Sequence, residues 1–167
     1  MGNNLNTSAA KTLFDIREED QLRADMYSFL ANMIRTEPSQ ELIDSVKKLS
    51  GDDSAIGSYI KLASKLASTV HISEIQDEYV NLFVGVGRGE LLPFASYYLT
   101  GFLNDKPLSK LRNDMNKLGV TRLKEVKEPE DHVSSLFDIM SALITGKFGK
   151  QYSITEQSDF FEKHLNS

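Results

Sequence analysis

The sequence predicts an all-α, single-domain helical bundle, and three observations carry that prediction. Apolar residues recur at gaps of three and four in segment after segment, no segment alternates strictly between apolar and polar, and no self-similarity returns at the ~34 or ~40 residues of helical repeat arrays. One domain is therefore expected over residues 1–167, with 1–17 as a flexible or partly ordered N-terminal segment. A chain of this size buries about 68–70% of its unfolded surface, so it needs no disulfide or structural metal to hold a core.

Leu22, Met26, Phe29, Leu30 and Met33 draw the first helical stripe, which Pro38 ends. Leu42, Ile43, Val46 and Leu49 form a shorter second one. The small polar turn Gly51-Asp52-Asp53-Ser54 can cap a third helix, marked by Ile56, Ile60, Ala63, Leu66, Ala67 and Val70, whose Ala and Ser content suggests close helix contact. Ser73 and Gln76 fit a capping box, behind which Ile75, Tyr79, Leu82, Phe83 and Val86 share one face. Three glycines and a proline make residues 85–93 a loop. Pro107 suits a first helical turn before Leu108, Leu111, Met115 and Leu118, and Gly119 suits its end. After a charged connection over 120–128, Glu128 is expected as a cap, Pro129 as the first helical position and Asp131 at the third, leading into Val133, Leu136, Phe137, Met140, Leu143 and Ile144 up to Gly146. A last helix starting near Ser153 or Thr155 carries Phe160, Phe161 and Leu165.

Composition excludes several functions. Nineteen basic against 24 acidic residues leave a net charge of −5, which argues against nucleic acid as a partner because neutralising phosphates takes a basic face. There is no cysteine, so thiolate metal sites, iron–sulfur ligation and cysteine nucleophiles are ruled out. The start lacks the basic and apolar stretches of an export signal, and no apolar run reaches membrane-spanning length, which together predict a cytoplasmic protein without membrane insertion.

Two constellations invite a catalytic reading. Glycines at 85, 87 and 89 would let backbone amides approach a phosphate, but a helix precedes them and neither the dinucleotide fingerprint nor the Walker pattern is complete. A hinge between helices explains them as well. The block Glu128-Pro129-Glu130-Asp131-His132 offers carboxylates beside a histidine, yet the spacing is Glu-x-x-x-His, once and across a proline, whereas bundle metal sites draw ligands from several helices. His71 and His164 lie near helix ends, where the dipole accounts for them, and Ser96 lacks a nucleophile elbow. No catalytic residue, metal or cofactor is assigned. Pro93-Phe94-Ala95-Ser96-Tyr97-Tyr98 puts three aromatics after the loop, and with Tyr79 and Phe83 they can line an apolar groove suited to recognition.

In order and spacing, Tyr79-x-x-Leu82-Phe83, Gly85-x-Gly87, Pro93-x-x-Ser96-x-Tyr98, Leu111-Arg112, Gly119 and Glu128-Pro129-x-Asp131-His132 resemble the TorD/DmsD/NarJ-like family of redox-enzyme maturation chaperones, most closely its TorD branch. The resemblance runs from about residue 18 to 165. It implies a non-enzymatic, cytoplasmic chaperone that binds a molybdoenzyme catalytic subunit and its twin-arginine leader peptide, assisting molybdopterin insertion before export. It also implies a peptide-binding site of Glu128, Asp131, His132, Tyr79, Phe83, Gly87, Pro93, Phe94, Ser96 and Tyr98. The residues suit such a leader independently, since a basic segment followed by an apolar one wants carboxylates beside an apolar groove, and four acids stand between Glu125 and Asp131.

Val86 and Gly87 depart from the family's usual loop residues, and family members continue past the Phe160 to Leu165 segment with a further helix. The expectation is a missing C-terminal helical segment, apolar surface exposed near that end, and homo-oligomerisation or domain swapping through it. Two other functions compete: a metal-dependent or nucleotide-hydrolysing enzyme using the Gly85–Gly89 loop and the Glu128–His132 block, and a helical adaptor for a folded partner.

Overall fold

The computed structural model of the chain describes residues 15–87, 89–122 and 128–166. The expectations placed on residues 1–14, on Arg88 and on Glu125 lie outside the described residues. Among the described residues eight α-helices follow in order: α1 (Glu18–Arg35), α2 (Gln40–Lys47), α3 (Ala55–Thr69), α4 (Ile72–Tyr79), α5 (Ala95–Thr100), α6 (Lys106–Lys117), α7 (Val133–Thr145) and α8 (Ile154–His164). A π-helical turn, Val80–Val84, extends α4. No strand occurs among the described residues, only an isolated antiparallel bridge between Phe94 and His132.

The bundle is organised around α1 and α7. Ala24 and Ala31 on α1 are fully buried, and between them Ser28 meets Ser141 of α7 Oγ to Oγ at 2.8 Å. Small residues at gaps of four and three let the two helices approach closely, while Tyr27 on Phe137 and an Arg35–Asp138 ion pair flank the contact. The Ala- and Ser-rich third helix makes the close contact expected of it with α2, where Ala67 packs on Ile43 and Val46 and the Ser64 hydroxyl donates to the Lys47 carbonyl at 2.9 Å.

The main core gathers Leu108, Leu111 and Met115 of α6, Val120, Leu136, Ile139, Met140 and Leu143 of α7, Tyr152, and Phe160 of α8. Each fully buried side chain of this size contributes roughly 1.5–3 kcal/mol. Tyr152 ties the cluster together, since its hydroxyl donates to the Leu118 carbonyl at 2.6 Å. A second, smaller cluster of Ile43, Val46 and Ala67 joins α2 and α3 to Phe29 and Met33 of α1. In α3 the larger apolar residues Ile56, Tyr59, Leu62 and Leu66 stay exposed, because its buried face is made of Gly57 and Ala67.

Most helix ends obey local rules. Ser39 and Ser54 cap α2 and α3, Ser153 and Glu156 form a full capping box on α8, Pro107 sits in the first turn of α6, and Gly146 closes α7 in the left-handed conformation. Two starts differ from expectation. α4 is capped by His71, whose Nδ1 accepts from the Ser73 amide at 3.3 Å, while Gln76 turns away to donate to the carbonyl of Pro38. α7 begins at Val133 with His132 as its cap, so Pro129 to Asp131 form a turn and not a first helical turn. Val86, assigned to the apolar face of α4, lies beyond the π turn in full solvent.

Candidate functional site

The tertiary structure joins the two sequence blocks singled out above. Around the Phe94–His132 bridge, the Val133 amide donates to the Pro93 carbonyl at 2.8 Å and the Ala95 amide to the Asp131 carbonyl at 3.0 Å. The ring of Phe94 meets the imidazole of His132 edge to face at 5.1 Å. Here α5, absent from the sequence reading, starts with Phe94 as its cap, and Phe94 has no side chain able to cap it.

Asp131 supplies what is missing. Its Oδ2 accepts from the Ser96 amide at 2.8 Å, so a carboxylate 35 residues distant satisfies the start of α5. Asp131 is 1% exposed, and its Oδ1 has no hydrogen-bond partner among the described residues. Ser96, wholly buried, accepts from the Asn104 amide at 3.2 Å through Oγ. His132, 5% exposed, caps α7: its Nδ1 accepts from the Ser134 amide at 3.2 Å, which puts the ring proton on Nε2. Burial holds the imidazole below the usual histidine range, with Glu128 opposing and Arg35 assisting.

Glu130 faces inward rather than serving a helix dipole. Its Oε2 accepts from Arg112 Nε at 3.0 Å and from a second guanidinium nitrogen at 2.8 Å, and Oε1 lies 3.6 Å from Arg122. Burial disfavours its charge, yet the Arg112 hydrogen bonds prevail and hold the carboxyl below its ordinary value. Of the acids expected to meet a basic peptide, Glu130 and Asp131 are therefore committed internally and Glu128 is exposed. Glu128 acts on both His132 and Tyr79, and with Glu37 it adds to the burial that raises the Tyr79 phenol.

An apolar groove of about 360 Å³ opens beside this junction, lined by Leu91, Pro93, Phe94, Tyr98 and Leu99 on one side and Val133, Leu136 and Leu165 on the other. Tyr98 is 63% exposed, and Leu99, Phe102 and Leu103 continue the apolar surface. The groove thus takes up Pro93, Phe94 and Tyr98. Tyr79 and Phe83 do not line it: they stack on one another at 5.0 Å, and the Tyr79 hydroxyl donates to the Ile34 carbonyl at the end of α1. Leu99 escapes the sequence reading because α5 is too short and uncapped to show a period, and Leu91 and Leu165 because they reach the groove only through the tertiary packing of a loop and a helix end. In α8 itself Phe160 is buried and Phe161 and Leu165 pack against the same core, so the open apolar surface near that end belongs to the groove.

Backbone geometry accounts for the glycine loop. Gly85 takes a positive φ of 61° as the π turn ends, and a Cβ on Gly89 would stand 2.5 Å from the Phe83 carbonyl carbon as the loop folds back. Gly87 is exposed, with nothing near it. Among the described residues no three His, Asp or Glu side chains are placed to hold a metal, and no helix is long and apolar enough to cross a membrane.

Residues 50–167 match the model of the family described as nitrate reductase delta subunit. The chaperone protein TorD of Vibrio vulnificus is 26% identical over 174 residues, spanning 92% of this chain and 81% of its own. That of Vibrio atlanticus is 27% identical over 145 residues, covering 78% and 67%. A crystal structure from Archaeoglobus fulgidus, described as a candidate redox enzyme maturation protein, superposes with a TM-score of 0.53 at 17% identity over 93% of this chain and 97% of that one, which shows the shared fold.

Proposed function

Since this chain belongs to the nitrate reductase delta subunit family, we propose that it is a cytoplasmic chaperone for the catalytic subunit of a molybdoenzyme. It binds the subunit's twin-arginine leader and holds the subunit while molybdopterin is inserted before export. Its relatives are chaperones and not enzymes, and this chain carries out no chemical step.

The observation that carries the leader reading is the open groove of Leu91, Pro93, Phe94, Tyr98 and Leu165; Glu128 is exposed and lines a separate cavity. An apolar leader segment fits such a wall, and aromatic residues with a polar tip provide large contact area at small entropic cost. Glu128 offers a charge-assisted partner for an arginine. Ser96, Asp131 and His132 serve this surface as positioning residues, because they fix the starts of α5 and α7. Fluorescence anisotropy with a synthetic twin-arginine leader and its Arg-to-Gln version is the test. Tighter binding of the arginine peptide is expected; equal binding of both, or of neither, ends the leader reading.

The exposed stripe Ile56, Tyr59, Leu62 and Leu66 favours a second reading, an adaptor that also contacts the folded body of the same client. Binding that persists to a leaderless client and is lost in Tyr59→Ala would support it, and no binding without the leader would remove it.

A further inference from the structure

A larger cavity, about 590 Å³, adjoins the apolar groove and adds charged side chains to an apolar floor of Leu99, Leu111 and Leu136. Gaps of four, four and three place Lys106, Lys110, Asp114 and Lys117 on one stripe of α6, next to the buried stripe of Leu108, Leu111 and Met115. All four line the cavity, and Lys163 joins them from α8. Asp114 is already engaged by Lys117 at 2.6 Å and by His164 at 3.1 Å, and Asp131 is tied to Ser96. Lys106 and Lys110 make no ion pair among the described residues. Two free ammonium groups one helical turn apart thus face this space, in a chain whose net charge is −5.

Cavity and groove share Ala95, Leu99, Leu136 and His164, so they form one trough. It is apolar from Leu91 to Leu165 and cationic along α6. Glu128 lines a separate cavity with Arg122 and Asp138, not this trough. The charge of the trough is therefore confined to its α6 end. A basic segment is repelled at the Lys106 end and an acidic one attracted there, which is a directional constraint that an apolar surface alone does not impose.

We propose that the lysine-lined cavity is a carboxylate-binding subsite for the client peptide, receiving an acidic segment that follows the apolar stretch. Such a peptide lies in one direction, acidic end at Lys106 and Lys110, apolar stretch along Tyr98 and Leu165, basic end away from the lysines. This rests on the leader reading for the peptide itself and adds its orientation and a further requirement on its sequence.

The test uses three synthetic peptides with the same twin-arginine and apolar segments: one ending in an Asp-Glu segment, one with Asn-Gln there, and one with the order of segments reversed. By fluorescence anisotropy at low salt the acidic peptide should bind about three- to tenfold more tightly than the amide peptide, the range of two partly exposed ion pairs. The reversed peptide should bind more weakly than either. Lys106→Gln with Lys110→Gln should erase the acidic peptide's advantage and leave the amide peptide's affinity and the unfolding midpoint unchanged. Equal binding of acidic and amide peptides, or a preference that survives the double variant, overturns the subsite while the leader reading stands. Binding of none of the three overturns both.

Discussion

The turn from Glu130 to His132 and the groove beside Tyr98 are in contact through Phe94, yet they are opposites. Every residue of the turn is buried and its polar groups are spent on the fold: Glu130 on Arg112, Asp131 on the start of α5, His132 on the start of α7. In the groove Leu91, Tyr98 and Leu99 are exposed to solvent. The motif richest in chemical groups therefore builds the site, and a run of ordinary apolar residues provides its surface. Buried carboxylates beside a histidine look like catalytic machinery in sequence, but desolvation and the internal bonds of Glu130 to Arg112 and Asp131 to Ser96 commit them to the fold.

Substitutions can break or sharpen that contrast. The largest effect is expected from Asp131→Ala, which leaves the buried Ser96 amide without an acceptor and should cost about 2–3 kcal/mol in urea unfolding. Asp131→Asn keeps one carbonyl oxygen and should cost less. A fully stable Asp131→Ala protein that has lost peptide binding would erase the distinction between the two regions. His132→Ala removes the α7 cap and the contact with Phe94, for a loss of about 1–2 kcal/mol.

A smaller effect lies in the pH dependence. Burial lowers His132 and His164 from 6.5, so the unfolded chain binds more protons just below that value; stability is full above pH 6.5 and declines as pH falls toward the folded-state values. Glu130, lowered from 4.5, contributes stability that is present above pH 4.5 and lost as pH drops further. Glu130→Gln should flatten that lower limb by no more than about 1 kcal/mol, since Arg112 is half in solvent. Thermal melts across pH check both. The least effect on stability is expected from Tyr98→Ala, within about 0.5 kcal/mol, together with about tenfold weaker leader binding.

Legibility in the sequence followed the range of the interaction. α6 could be read in full, because Pro107, the Leu108-Leu111-Met115 stripe and Gly119 all act within a turn of the helix they define. α8 was equally plain through Ser153. α5 was not: six residues without a capping side chain carry no period. The start of α7 was misplaced by four residues, since Asp131 satisfies every local rule for a third helical position and spends its carboxylate on Ser96 instead.

By itself the sequence determined the helical class, most helix boundaries and the family, and it named candidate site residues, because spacing and caps are settled by groups three or four positions apart. Only the tertiary structure decided which of those residues face solvent, which hold the fold, and that α6 sets free lysines beside the groove. Burial and long-range pairing depend on what packs around a side chain, and the residues around Asp131 come from elements that local pattern does not connect.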